Sequence, residues 1–229
     1  MGVLGSKWLL ENVPAARGDA MICGDAGINA IDRLRKALDA VKLLEQLPVH
    51  APEIQKYIAI ASEASEAIFG EGESKVLQRV TVNIGSISGG KLSNLIPSEA
   101  QAQGDIRIPL GISIENVRKH LQEYLDPMGG VSWRIIRSYE PTCTSPSHPL
   151  IESALLASTQ VMDQQPTPVV NIRVGASDAR LYRATGIPSV VVGCTPSGMG
   201  AADEFIMIEE LVKVAQIHAL IAYDLLKEE

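Results

Sequence analysis

The sequence has 229 residues, 46% of them hydrophobic, and carries a formal net charge of -7. This length and composition allow a substantial hydrophobic core and exclude disordered, collagen-like and small disulfide-stapled proteins. The acidic balance opposes nucleic-acid binding, no run approaches the ~18 apolar residues of a membrane helix, and Met1 is not followed by a secretory signal, so we expect a cytoplasmic protein without a nucleic-acid or membrane partner.

The part of the sequence from residue 28 to residue 139 predicts an α+β domain. Apolar residues recur every three or four positions between Asn29 and Leu47, which is typical of an amphipathic helix. Strict alternation of apolar and polar residues at 79–84 and at 100–108 indicates half-buried antiparallel strands, joined by a turn region at 85–90. The predicted elements are helices over 29–47, 53–69 and 113–125 and strands over 79–84, 100–108 and 131–136. Their order is that of a ferredoxin-like split βαβ unit without its first strand.

After Pro141 helices alternate with short buried strands. The run Val190-Val191-Val192 is expected to be covered on both faces, as in a parallel α/β sheet. The predicted elements are helices over 149–162, 178–184 and 207–227 and strands over 168–174 and 188–193. We therefore predict an α/β domain formed by 1–27 and 140–229, into which the α+β domain of 28–139 is inserted.

Several polar residues lie where a ligand could be bound. Asn94 is either a turn cap or a ligand contact, and Arg107 is either a solvated cation or a cleft residue. Residues 173–180 end a predicted strand and open a helix, so either Ser177 or Asp178 only caps that helix, or the segment faces a ligand at the carboxyl end of the strand. The long glycine-rich loop 193–204 has a similar position. The four histidines show no ligand spacing, and no GxSxG nucleophile motif occurs.

Several separated motifs occur in a characteristic order. They are Gly24-Asp25, Ile28-Asn29-Ala30-Ile31-Asp32, Gly89 to Pro97 followed by Asp105-Ile106-Arg107, Ser177-Asp178-Ala179-Arg180, Gly186-Ile187-Pro188 and Asp203-Glu204. Together they resemble the acetylornithine deacetylase and succinyl-diaminopimelate desuccinylase family of dinuclear zinc amidohydrolases and exopeptidases. The resemblance implies a catalytic α/β domain interrupted by a ferredoxin-like lid domain that commonly dimerises.

The resemblance also implies a chemistry based on metal ions. In the family two zinc ions, bridged by a carboxylate and a water, lower the pKa of the water and polarise an amide carbonyl. Asp25 matches the position of a carboxylate ligand to one of these metals. Asp203 and Glu204 match an acidic pair that usually follows the last metal-binding histidine.

On the substrate side, the resemblance implies three contacts. Asn94 and Arg107 match lid residues that reach toward the substrate, and Arg180 is a candidate for binding the substrate carboxylate. Asp178 belongs to the same motif as Arg180. These matches imply a small carboxylate-bearing ligand.

The sequence departs from the family at the metal-binding positions. The upstream block with the first metal ligands and the general-base glutamate has no counterpart, a stretch is absent between Gly27 and Ile28, and no histidine occurs in Thr195 to Ala202. The absent stretch would contain the first lid strand. Since a catalytic zinc takes about three protein ligands, we expect Asp25 alone not to hold zinc tightly, and we assign no catalytic residue.

Two functions remain open. The chain is expected to be a relative of hydrolases that cleave N-acyl amino acids or small peptides, without catalytic competence as a single chain. The alternative is a non-catalytic dimerisation or ligand-binding module, either a pseudoenzyme or a fragment. Because unpaired strand edges are association sites, we expect a homodimer formed through the lid helix at 29–47 and an exposed edge strand.

Overall fold

The computed structural model describes residues 27–162, 167–173, 175 and 177–227. The α-helices are α1 (Ala30–Lys42), α2 (Pro52–Phe69), α3 (Glu73–Val76), α4 (Ile114–Leu125), α5 (Pro149–Val161), α6 (Ala179–Ala184) and α7 (Ile208–Leu226), and the strands are β1 (Thr81–Gly89) and β2 (Ala100–Arg107). A 3-10 helix, Leu43–Gln46, continues α1. Within these residues, no helix has the length and apolarity needed to cross a membrane.

The predicted helix over 29–47 is confirmed as α1 and the 3-10 turn that follows it. Asn29 caps its first turn, because the side-chain oxygen accepts hydrogen bonds from the backbone N–H of Ile31 at 2.9 Å and of Asp32 at 3.2 Å. Such caps satisfy N–H groups that have no partner inside the helix. The helix buries Ala37 and the 3-10 turn buries Leu44, which fixes the face directed to the core.

The two strands form an antiparallel sheet that runs from the pair Thr81 and Arg107 to the pair Gly89 and Ala100. The register shifts between Ile84 and Ser86, so Gly85 is an extra residue in β1. A glycine in a strand commonly marks such a bulge. The prediction that the strand ends in a turn at 85–90 is therefore wrong, since pairing resumes after the bulge and continues to Gly89.

The main core lies between the sheet and two helices. Val80 and Val82 are almost fully buried, as the alternation predicts, and they pack in one cluster with Leu44 and with residues of α4. The α4 residues in this cluster are Val117, Leu121 and Leu125. Ser113 caps the start of α4, because its hydroxyl oxygen accepts a hydrogen bond from the backbone N–H of Asn116 at 3.2 Å.

The predicted strand over 131–136 is wrong. Val131 and Trp133 pack against the main core, which explains the alternating pattern, but the backbone forms no strand there. A strand needs a neighbouring backbone, and the sheet of the described residues contains only β1 and β2. The α+β class is confirmed: this part of the chain is a small lid-like unit with helices and a two-stranded antiparallel sheet.

In the later part of the chain the predicted helices are confirmed as α5, α6 and α7. α5 and α7 pack through Ala154, Ala157, Ile217 and Ile221, with Val190 and Val192 against them. The described parts of the predicted strands 168–174 and 188–193 are not assigned as strands. The prediction that Val190-Val191-Val192 is covered on both faces is also wrong, because Val191 is 65% exposed. Among the described residues, helices pack on one side of this segment and no strand pairs with it.

Candidate functional site

The β1–β2 hairpin carries two of the predicted substrate-facing residues. Asn94 is exposed in the connecting loop, in a turn that closes with the Leu95 N–H donating to the Leu92 carbonyl at 3.2 Å. Arg107 is at the end of β2, and its guanidinium forms a hydrogen-bonded ion pair with Asp105 on the same face of the strand. Both side chains are exposed, so both are accessible to a ligand.

Arg180 lies in the first turn of α6 and is partly buried. Its guanidinium carbon lies 4.3 Å from the centre of the Tyr139 ring, an arrangement in which the aromatic face attracts the cation. The Nε atom is buried without a hydrogen-bond partner. Tyr139 therefore fixes the guanidinium in a setting where it can still donate to a carboxylate.

Asp178 stands at the N-cap position of α6, but its side chain forms no capping hydrogen bond. The helix is instead started by backbone contacts, with the Asp178 carbonyl accepting from the Leu181 N–H at 2.9 Å. The capping interpretation of this carboxylate is thus wrong. Its side chain is exposed, two residues before Arg180 in the sequence.

The glycine-rich loop is an ordered turn that precedes α7. Ser197 and Phe205 form an isolated antiparallel bridge, and Glu204 accepts a hydrogen bond from the Gly200 N–H at 3.0 Å. Asp203 has a positive φ of 61°, a conformation that Asp adopts more readily than most residues. The Glu204 carboxylate therefore stabilises the loop itself, while the Asp203 side chain is exposed.

The described residues do not fit a two-zinc centre. Nowhere in them do three His, Cys, Asp or Glu side chains come together to hold a metal ion, and Asp25 lies outside the described residues. Three histidines have backbone partners: His148 accepts from the Leu150 N–H at 3.1 Å, His218 Nε2 lies 2.8 Å from the Val192 carbonyl, and His120 Nδ1 lies 2.8 Å from the Asn116 carbonyl. No hydrolytic step is assigned to these residues.

Cys143 is an exposed free cysteine in the segment that precedes α5. Desolvation raises the pKa of the Cys143 thiol, and the charge of Arg183 offsets this only in part. Since the thiolate is the nucleophilic form, this cysteine is poorly suited to attack a substrate near neutral pH. The neighbouring Thr144 is structural, because its hydroxyl donates to the Ser189 carbonyl at 2.7 Å.

Sequence reasoning missed a polar cleft beside α4. It has a volume of about 420 Å³ and is lined by Arg118, Gln122, Trp133 and residues 135–138. Arg118 and Gln122 are four residues apart, a spacing that places both on one face of the helix. That spacing is visible in the sequence, whereas the approach of residues 135–138 is not.

A family of known proteins matches the lid-like part of the chain. Residues 20–130 match the family model of the M20 peptidase dimerisation domain. The fold is similar to that of an M20 family metallo-carboxypeptidase, Sso-CP2 from Sulfolobus solfataricus, with a TM-score of 0.64 and 17% identity over 85% of this chain and 52% of that chain. It is also similar to aminopeptidase PepT from Bacillus cereus, with a TM-score of 0.53 and 20% identity over 88% of this chain and 46% of that chain. The chain thus spans about half the length of these two peptidases.

Proposed function

We propose that this chain is a dimerising, ligand-facing module of M20-peptidase-like architecture that does not hydrolyse substrate by itself. The observation that carries the proposal is the match of residues 20–130 to a peptidase dimerisation domain. In this proposal 28–139 form the lid, and 1–27 with 140–229 form part of a catalytic-type domain.

The open edge of β1 is the proposed contact between two copies. Within the described part of the chain β1 pairs with β2 on one side only, and a strand with an unpaired edge is a template for another strand. At Val82 this edge is already occupied, since Glu45 accepts from the Val82 N–H at 2.9 Å and the Lys42 ammonium donates to the Val82 carbonyl. The free section therefore begins after Val82 and includes Ile87, which is 61% exposed.

Light scattering on the purified chain tests this contact. We expect twice the monomer mass of 24.5 kDa, and we expect Ile87→Lys to shift the protein toward monomer because a lysine on an edge strand opposes pairing. Ile60→Lys is the matched control, since Ile60 is 66% exposed on α2 away from the sheet. A wild-type protein that stays monomeric at high concentration would overturn the proposal of self-association.

For the ligand of this module we propose a small carboxylate-bearing molecule of the N-acyl amino acid class, in keeping with the acetylornithine deacetylase-like motifs. The support is chemical: Arg107 is exposed, Arg180 is set against Tyr139, and guanidinium groups bind carboxylates through paired hydrogen bonds. Asn94 is exposed in the hairpin that also carries Arg107. Unchanged N-acetyl-amino-acid binding by an Arg107→Met, Arg180→Met double variant, measured by calorimetry, would refute this assignment.

The second candidate function is a metal-dependent hydrolase, favoured by the fold similarity to a metallo-carboxypeptidase over 85% of this chain. Zinc is the metal proposed for such an activity, with Asp25 as one ligand, and the cytoplasm is the proposed compartment. Mass-spectrometric metal analysis after incubation with zinc separates the candidates. About two equivalents of metal per chain would establish the hydrolase, as a dinuclear site requires, and a value near zero would support the module.

A further inference from the structure

The cleft beside α4 is an open groove lined by residues of the helix and of the loop that follows it. Arg118 and Gln122 each follow a buried residue of α4, Val117 and Leu121, so they project from the edge of its buried face. The opposite wall is Trp133 with residues 135–138. At about 420 Å³, the cleft falls in the size range of small-molecule sites.

The loop wall is held in place by the core. Trp133 packs against the main hydrophobic cluster, and its indole N–H donates to Asp126 Oδ1 at 2.9 Å. Asp126 is the residue that ends α4, so one hydrogen bond joins the helix to the loop that faces it. The two walls are thereby fixed relative to each other before any ligand binds, which lowers the entropy cost of binding.

The lining is cationic and rich in hydrogen-bond donors. Arg118 and Arg137 contribute guanidinium groups, Gln122 a carboxamide and Ser138 a hydroxyl, and no carboxylate is among the described residues that line the cleft. Arg118 Nε is buried without a hydrogen-bond partner. Its nearest acid is Glu115, whose Oε2 is 3.7 Å away on a side chain that is 79% exposed, and such an exposed pair contributes little and is easily displaced.

We propose that this cleft binds a short dicarboxylate. One guanidinium from each wall can take one carboxylate, the pairing for which arginine is best suited. Ile135 and Ile136 add apolar surface that a hydrocarbon spacer can contact. The net charge of -7 on the whole chain opposes long polyanions, so the local positive charge selects a small anion.

Calorimetry of the full chain with glutarate, butyrate and inorganic phosphate tests the proposal. We expect glutarate to bind at least about tenfold more tightly than butyrate or phosphate, because only glutarate offers two carboxylates and a spacer. Arg137→Gln should weaken glutarate binding by about tenfold or more. Arg134→Gln is the matched control, since Arg134 lies in the same segment but does not line the cleft.

Three outcomes would overturn the assignment: no glutarate binding, equal effects of the Arg137 and Arg134 substitutions, or phosphate binding as tight as glutarate. Gln122→Leu, on the helix wall, provides a second variant that leaves the charge unchanged, and it should also weaken glutarate binding. The inference is independent of the ligand proposed for Arg107 and Arg180. A variant with both of those arginines replaced by Met should keep the part of glutarate binding that Arg137→Gln weakens, so the two proposals can fail separately.

Discussion

The Glu45 side chain links the 3-10 turn after α1 to the edge of the sheet. Replacing Glu45 by Ala should therefore destabilise the protein more than most substitutions at partly exposed positions do. Its Oε1 accepts from the Val82 N–H at 2.9 Å and from the Lys42 ammonium at 3.2 Å, on a side chain that is 28% exposed. Removing the carboxylate leaves the N–H of a buried strand residue without this acceptor, which costs about 1–3 kcal/mol. The exposed pair with Lys42 adds at most about 1 kcal/mol.

We therefore expect Glu45→Ala to lower the free energy of unfolding by about 2 kcal/mol in urea titrations at pH 7. Hydrogen exchange at the Val82 amide should accelerate by a corresponding factor, because that amide loses its partner. Glu123→Ala is the control: its pair with Lys119 is 3.9 Å long and exposed, so its effect should stay within about 0.5 kcal/mol. Equal effects of the two substitutions would refute the role given to Glu45.

The same contact predicts a pH dependence. Hydrogen bonding to the Val82 N–H, followed by the interaction with Lys42, lowers the pKa of Glu45 in the folded protein. A carboxyl group whose pKa is lowered by folding stabilises the protein above its unfolded pKa, and this contribution is lost as the pH falls through the folded pKa. Glu45→Gln should therefore be less destabilised, relative to wild type, at acidic pH than at pH 7. A stability difference between Glu45→Gln and wild type that stays the same from acidic pH to pH 7 would contradict this pH dependence.

Three other changes test separate parts of the structure. Asn29→Ala removes the cap of α1 and should cost about 1 kcal/mol of unfolding free energy, whereas Asn29→Asp should retain the cap. Alkylation of Cys143 by iodoacetamide should be slow at pH 7 and accelerate only at alkaline pH, because the pKa of this thiol is raised; rapid labelling at pH 7 would contradict the assigned environment. Val190→Asp should destabilise the α5–α7 cluster by about 2 kcal/mol or more, while Val191→Asp, at a position that is 65% exposed, should have little effect on the melting temperature.

The helices follow from the sequence because their signals are local. The spacing of apolar residues and the caps at Asn29 and Ser113 involve neighbours within a few positions, and the structure shows a side-chain cap at both residues. The alternation at Val80 and Val82 likewise predicts the buried face of β1. These features need no knowledge of the rest of the fold.

The wrong strand predictions share a physical cause. At 131–136 and 188–193 the sequence shows alternation or apolar runs, but these report only which side chains are buried. A strand also requires a partner backbone, which is a property of distant parts of the chain. The contact of Glu45 with Val82 and the cleft between Arg118 and Arg137 also escape prediction, since they join segments that are far apart in sequence.

The bulge at Gly85 determines how β1 responds to a change in length. Val82, Ile84 and Ile87 pair with Ile106, Gly104 and Ala102, so the bulge absorbs the extra residue and Ile87 lies on the sheet face of Val82 and Ile84. Deleting Gly85 would remove the bulge and leave these pairs in register, so strict alternation would keep Ile87 on the face of Val82 and Ile84. A deletion in the loop of residues 90–99 would leave every side chain of the sheet on its present face. Both deletions would therefore keep the faces of the hairpin, and only the deletion of Gly85 would remove the bend that the bulge gives to β1.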